Sequence, residues 1–552
     1  MPEYLAPGVY VEEISSGPKS IEALSTSTAG FVGQTERGPL TVTTLTSWND
    51  YLRTYGGLTD TTVSYTSHAI KGFFDNGGRR AVVARVVRDG AGNPASLLLD
   101  TLSTQQLRIE ANGLGEFGNR IFVTITEGSV VGFCLTIIYY QTLPPTPLVD
   151  PLNSSQLYHP NRREPDLIES YDNIDPHAPS SSALLAQISN SSQLIAIEYH
   201  HSNIALEQPS LIAFTPLTNG SDGTAAPAAA NYIGASAQLQ NRQGLALLET
   251  VEEISILAVP DEIHGSLPAA DRDAIRSAII HQCESLNDRF AILQVEANRN
   301  IEQITINHDS SYAAIYYPWI RVNDSRLGDA VNIPPCGHIA GIYARTDTES
   351  GVHKAPANAI VRGILTANLA DGRGPLEYSL TDQQQASLNP RGINAIRDFR
   401  SQGRGVRVWG ARTLSSNPEW RYISVRRLLL FLQQSINNSV QWLAFELNNE
   451  TTWQQLRISV SNFLNTYFRA GTFQGSTPEQ AYFVRCDRST MTQDDIDNGR
   501  LICLVGVAAI KPAEFVIFRI QQKTAVPAPK LTVKPTIRLN RPTLRRPKKW
   551  GR

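Results

Sequence analysis

The sequence predicts a multidomain chain of α/β and α+β type, and three observations carry that prediction. Buried-strand runs alternate with helical stretches over residues 29–87 and again over 254–296. The long stretch between them holds strand patterns and turn residues with little helical periodicity. Two strongly periodic helices followed by strand runs close the globular part. A chain of 552 residues exceeds one ordinary core, and 41% hydrophobic against 18% charged residues suits a chain that buries cores.

The first element is "PGVYVEEI" at 7–14, with Val9 and Val11 on one face and Tyr10 and Ile14 on the other, closed by Pro7-Gly8 in front and Gly17-Pro18 behind. A strand this close to the chain end must pair its backbone groups somewhere. Two partners stay open at this point: "AGFVGQ" of the same chain, or another copy. Residues 1–28 are therefore set apart as an N-terminal arm.

An α/β middle domain follows in two parts, 29–105 and 241–350. "AGFVGQT" predicts a strand, "SYTSHAIKGFFDNGG" a helix stopped by Gly77-Gly78, and "RRAVVARVV" a buried strand. The rhythm returns in "ISILAVPD", the helix at 269–289 and "FAILQVE", and strand-helix-strand at this spacing predicts a partly parallel sheet. Residues 106–240 predict a β-rich peripheral insertion, from "QLRIEA", "RIFVTITEG" and "FCLTIIYY" followed by a stretch rich in Pro, Ser and Asn.

The domain set at 351–522 carries the clearest pattern. Val425, Leu428, Leu429, Leu432, Ile436, Val440 and Leu443 make one helical stripe; Trp453, Leu456, Val460, Phe463, Leu464, Tyr467 and Phe468 make a second, ended by Gly471. Three strands follow, "AYFVRCD", "LICLVGVAAI" and "AEFVIFRIQQ", which predicts two helices on a mostly antiparallel sheet with the last strand as a C-terminal arm. Residues 523–552 form a basic, Pro-rich tail. Residues 525–552 hold nine Lys or Arg and no acid, against 40 basic and 51 acidic residues in the remainder.

The motifs with possible chemistry weaken on inspection. "GLGEFG" at 113–118 fits the dinucleotide fingerprint, but it leads into a strand where that site needs a helix N-terminus, so a tight hairpin turn is expected. "DDIDNG" at 494–499 misses calcium-loop ligand positions and reads as the cap of a short helix after Thr492. "CGH" (336–338) and "HH" (200–201) lack the spacing of a zinc site. No phosphate loop, nucleophile elbow or HExxH motif occurs in the sequence. The expectation is no enzyme, no cofactor, no metal and no small-molecule substrate. Five scattered cysteines fit synthesis in a reducing compartment, and the N-terminus shows no secretory pattern. Residues 400–427 hold seven arginines and one acid, Glu419. Ordinary ion pairing is one outcome; a basic surface at Arg421, Arg426 and Arg427 for an acidic partner is the other.

The chain resembles the sheath subunits of contractile phage tails and of bacterial contractile injection systems. The resemblance lies in "PGVYVEE", "GFVGQTERGP", "FFDNGGRRAVVARV", "APAN" (355–358), "LNPRGINAIRDF" (388–399), "GVRVWGARTL" (405–414), "WRYISVRRL" (420–428) and the stretch 477–520. It implies that the two arms reach neighbouring subunits by β-augmentation, so that Val9, Tyr10, Val11 and Glu12 pair in trans with strands like Phe515, Val516, Ile517, Phe518, Arg519 and Ile520. The linkers near Ser15 to Ser20 and Ile510 to Ala513 would then bend. The resemblance also implies six-fold rings stacked as a helical sheath, an inner tube protein facing Arg421, Arg426 and Arg427, and baseplate and terminal cap proteins. Assembly in the bacterial cytoplasm and a place in a phage tail or tail-like particle, in some cases released outside the cell, follow from the same likeness. The tail at 525–552 departs from the family pattern; a neighbouring subunit, an anionic membrane and nucleic acid stay open as its partners. A soluble α/β enzyme and a nucleic-acid-binding protein acting through the tail are the competing classes.

Overall fold

A central sheet of eight strands organises the computed structural model, which describes residues 20–88, 92–100, 106–176, 181–200, 208–223, 226–234 and 242–514. Its spatial order is Val406–Trp409, Ile393–Asp398, Ala313–Tyr317, Phe290–Gln294, Ile256–Ala258, Thr28–Gln34, Arg80–Val86 and Thr43–Leu45. The six inner strands are parallel, and an antiparallel strand closes each edge. Parallel strands need helical crossovers, which cover both faces and make the strands apolar throughout. That is why "RRAVVARVV" and "FAILQVE" read as continuous hydrophobic runs.

The period of two sorts these strands into two cores. Phe31, Val83, Ile256, Ile292 and Tyr316 face one side, under the helices Thr66–Asp75 and Cys336–Ser350. Val32, Val82, Leu257, Leu293 and Ile315 face the other, under Gly244–Leu248 and Ala269–Leu286. On the first side the two helices touch closely: a Cβ at Gly337 would lie 2.0 Å from the Ala69 carbonyl oxygen. Any side chain there would drive the helices apart.

Two features differ from the sequence expectation. The strands Ile393–Asp398 and Val406–Trp409, placed by sequence in the domain starting at 351, hydrogen-bond into the central sheet. Parallel neighbours are chosen by tertiary packing across long sequence separations, so local periodicity did not reveal the pairing. The β-rich insertion is also wider at its start and narrower at its end. Strand Ser96–Asp100 already belongs to it, while Tyr232 of the short helix Ala229–Ile233 is buried in the α/β core.

The insertion holds a four-stranded antiparallel sheet, ordered Ile212–Pro216, Ile121–Glu127, Phe133–Tyr139 and Leu167–Ile174, and a three-stranded sheet, Ser96–Asp100, Gln106–Ala111 and Ile195–His200. The two share one core, with Leu107, Ile109, Val123, Leu135 and Ile137 among its members. The "GLGEFG" segment joins the two sheets through a 3₁₀ turn, Glu116–Arg120, so it is a link between layers and not the expected hairpin. The "DDIDNG" acids do cap a short helix: Thr492 receives the Asp495 amide in a reciprocal capping box over Gln493–Asp497. Among the described residues no helix is long and apolar enough to cross a membrane.

His338 is the histidine of "CGH". It is 1% exposed beneath the Thr66–Asp75 helix, and among the described residues neither ring nitrogen has a hydrogen-bond partner. Burial, with Lys71 and His68 nearby, pushes its pKa from 6.5 down to about 3. The unfolded chain therefore binds this proton near pH 6.5 while the folded chain refuses it, so stability rises with pH across that interval. We expect His338 alone to remove up to ~1.4 kcal/mol of stability per pH unit on acidification below about 6.5. Urea unfolding of wild type and His338→Gln at about pH 7 and about pH 5 checks this; the wild type should lose more stability between the two than the variant.

Candidate assembly site

The C-terminal part is built on the two predicted helices, Ile423–Ser439 and Glu450–Arg469. Asn449 starts the second by accepting the Thr452 amide at 3.0 Å. Leu428, Phe431 and Leu432 of the first helix meet Trp453, Leu456, Val460, Phe463 and Leu464 of the second in one core. Ile423 and Leu430 of the same first helix belong to the central-sheet core. One helix therefore joins two hydrophobic cores.

Against this pair lies a two-stranded antiparallel sheet, Tyr482–Arg485 with Leu504–Val507. Tyr482 and Val484 turn toward the helices, and the Tyr482 hydroxyl donates to the Ser461 carbonyl at 3.3 Å. Phe483 (49% exposed), Leu504 (50%) and Val505 (39%) stay open to solvent. Phe483 lies across Gly506, where a Cβ would come within 2.2 Å of its ring. Among the described residues neither strand has a partner on its outer edge. An isolated strand pair is marginal in water, and a free edge beside exposed apolar side chains is a template for another strand.

The described chain both begins and ends beside this same core. Ile21 packs against it, the Glu22 amide donates to Ser439 Oγ at 3.0 Å, and the Leu24 amide to Ser435 Oγ at 3.2 Å. The incoming chain thus runs along the Ile423–Ser439 helix before entering the central sheet at Thr28. On the other side, the Ala508 amide donates to the Ala481 carbonyl, the Gln474 amide to the Ala508 carbonyl, and Ala509 packs on the core. The expected arm residues Val9, Tyr10, Val11 and Glu12, and Phe515, Val516, Ile517, Phe518, Arg519 and Ile520, lie outside the described residues. The strand Thr28–Gln34, weighed above as an in-chain partner for the first of these arms, pairs with Arg80–Val86 on one edge and Ile256–Ala258 on the other.

The three arginines of the expected basic surface separate. Arg421 is partly exposed. Arg426 is half-buried, its guanidinium 3.7 Å from the Trp420 ring centroid and 4.3 Å from that of Tyr312, and burial lowers its pKa. Arg427 corrects the expectation: it is 3% exposed and forms a bidentate pair with Asp347, at 2.9 and 2.6 Å. It also donates to the Thr26 carbonyl at 2.9 Å and lies 4.8 Å from the Tyr343 ring. The carboxyl of Asp347 is pushed upward by burial, with Arg427 opposing. An arginine on the buried stripe of its helix finds a buried acid far along the chain, and nothing in the local sequence marks Asp347 as its partner.

The crevice where doubly wound sheets hold ligands lies at the carboxyl ends of Thr28–Gln34 and Ile256–Ala258, the point where strand order reverses. It is filled by the protein's own groups. Asp261, fully buried, accepts from Ser64 Oγ (2.8 Å), the Tyr65 amide (2.7 Å), Thr66 Oγ1 and the Tyr232 hydroxyl (both 3.3 Å).

Comparison with known proteins places these elements. Residues 237–414 match the family model of the phage tail sheath protein central domain, and residues 415–523 match that of the phage tail sheath C-terminal domain. The chain is 26% identical over 207 residues to a prophage major tail sheath protein of Pseudomonas aeruginosa, covering 37% of this chain and 50% of that protein. It is 28% identical over 201 residues to the tail sheath protein of Enterobacteria phage T4, covering 36% of this chain and 28% of that one. These matches span half or less of the relatives' length. In fold, the chain is similar to the sheath complex of an extracellular contractile injection system in its contracted state, with a TM-score of 0.55 and 21% identity over 95% of this chain and 99% of that one.

The buried ion pair carries its own test. Arg427→Ala strands the Asp347 charge in the core and should cost ~3–5 kcal/mol. Arg426→Ala loses its ring contacts and a hydrogen bond to Ser311 Oγ without stranding a buried charge, and should cost ~0.5–2 kcal/mol. Urea denaturation midpoints of the two variants should rank in that order; an unchanged midpoint for Arg427→Ala would contradict the inward placement.

Proposed function

The chain belongs to the phage tail sheath family, and from that premise we propose that it is the structural subunit of a contractile sheath, linked to its neighbours by exchanged β-strands. One observation carries the proposal. The described chain begins and ends beside one small core next to a strand pair whose outer edges have no partner among the described residues, while the strand Thr28–Gln34 already has a parallel neighbour on each side.

Arms from neighbouring copies would complete the sheet of Tyr482–Arg485 and Leu504–Val507 and cover Phe483 and Leu504. Each added backbone bond contributes only ~0.5–1.5 kcal/mol net, but two arms per subunit, repeated over stacked six-fold rings, sum to strong avidity. The mechanism is mechanical. The globular unit moves as a rigid body between two packings while its arms keep it attached, and the driving energy is the better packing of the contracted lattice. An inner tube protein would lie inside, with Arg421 as the accessible arginine facing it; baseplate and terminal cap proteins would bound the sheath. The particle is a phage tail or tail-like device assembled in the bacterial cytoplasm. The tail at 525–552 supplies a basic arm for a neighbouring subunit or an anionic membrane. The filled crevice around Asp261 supports a scaffold use of the α/β layer over an enzymatic one.

Deleting residues 1–19 should leave the globular unit folded, with unchanged far-UV circular dichroism, and abolish polymerisation. Electron microscopy of the purified full-length chain should show tubes and that of the truncated chain dispersed particles. Tubes of equal length from both would refute strand exchange through the N-terminal arm.

A further inference from the structure

We propose that Cys486 and Cys503 form a disulfide site that closes the 487–502 loop under oxidising conditions. The last paired residues of the two-stranded ladder are Arg485 and Leu504, so Cys486 and Cys503 are the next residues on the facing strands. Opposed residues of antiparallel strands have Cα atoms about 4.5–5.5 Å apart, inside the ~4.4–6.8 Å range that a disulfide spans. Cys486 is 2% exposed, Cys503 is half-buried, and both pack on the same core. The other free cysteines are kept apart by the fold: Cys283 and Cys336 belong to cores on opposite faces of the central sheet, and Cys134 to the insertion.

The chemistry needs an external oxidant, and a low-molecular-weight disulfide such as oxidised glutathione supplies it. Cys503 is the more accessible thiol, and the neighbouring Cys486 thiol lowers its pKa while that of Cys486 is raised. The Cys503 thiolate attacks one glutathione sulfur, breaking that S–S bond and releasing one glutathione thiolate. Cys486 loses its proton to water and attacks the Cys503 sulfur of the mixed disulfide, expelling the second glutathione thiolate. One S–S bond is broken and one formed; two electrons and two protons pass from the protein thiols to two glutathione thiols.

The loop so closed carries the Gln493–Asp497 helix and leads directly into Leu504–Val507. It is anchored elsewhere by Thr490 Oγ1 donating to the Ile502 carbonyl at 2.9 Å. A covalent tie at the ladder's end would hold the strand pair together from outside the edges it offers. The value of that tie to a sheath rests on the function proposed above; the bond itself does not.

The test uses full-length protein incubated with oxidised glutathione or with a reducing dithiol, then denatured in an alkylating agent and mapped by mass spectrometry. Oxidation should remove alkylation at both Cys486 and Cys503 and yield one linked peptide pair lacking two hydrogens, with Cys283 and Cys336 alkylated in both samples. Cys503→Ser should lose the linked pair and leave Cys486 alkylated. Cys503 halting as a glutathione adduct, linking to another copy, or staying fully alkylated would each overturn the proposal. Electron microscopy of the oxidised sample separates the two ideas: a formed bond without tubes counts against the sheath and leaves the disulfide standing.

Discussion

A strand must satisfy its backbone groups on both edges, and the architecture of this chain follows from where that can be done. In the central sheet each of the six parallel strands has a neighbour on both sides, with an antiparallel strand flanking them at each end. In the small sheet of Tyr482–Arg485 and Leu504–Val507 each strand has, among the described residues, a neighbour on one side only, and Phe483 and Leu504 stay half in water. A free edge of this kind is a liability in a monomer and an attachment point in an assembly. The first strand of the globular unit makes the difference sharper, because Arg80–Val86 lies along its whole length on one side and Ile256–Ala258 pairs with Ala29, Gly30 and Phe31 on the other.

Attachment alone does not transmit force. The structure adds a path, because the helix Ile423–Ser439 contributes Leu428 and Phe431 to the C-terminal core and Ile423 and Leu430 to the central one. The Arg427–Asp347 pair ties that helix to Cys336–Ser350, and the same guanidinium holds the Thr26 carbonyl where the chain enters the sheet. A buried ion pair often contributes little net stability against an apolar alternative. Its directional bonds do fix the arm's root, the helix and the sheet in one relative position.

Much of this was legible in the sequence, for physical reasons that vary by element. "RRAVVARVV" and "FAILQVE" were legible because strands buried on both faces carry apolar runs such as 81–84 and 290–293, and the stripes through Leu428 and Leu456 because a half-buried helix must repeat near 3.6. The Thr492–Asp495 cap was legible because capping is local. What escaped was non-local. The strands at 393–398 and 406–409 look like any strands, and only the folded layer shows that they border Ala313–Tyr317. "GLGEFG" reads as a hairpin until its flanking strands are seen in different sheets. Arg427 carries the same charge as Arg421, and it is a distant aspartate that turns one inward. The arm segments 9–12 and 515–520 carry a strand pattern in sequence but lie outside the described residues, and no pattern within a single chain specifies a partner in another.

The filled crevice at the sheet's switch point completes the physical logic. In an enzyme of this topology that crevice is kept open for a ligand; here Asp261 draws Ser64, Thr66 and Tyr232 into it, and burial raises the carboxyl's pKa. Under the function proposed above, the sheet would serve as a stiff plate. Stiffness is what a proposed sheath subunit requires of its body, since work can pass from one copy to the next only if the strain of rearrangement falls on the arms. A body that yielded at its own centre would dissipate the packing energy that contraction draws on. Among the described residues, the strand pair with unpaired edges lies apart from the plate, and the hydrogen-bonded Asp261 lies buried at the plate's switch point.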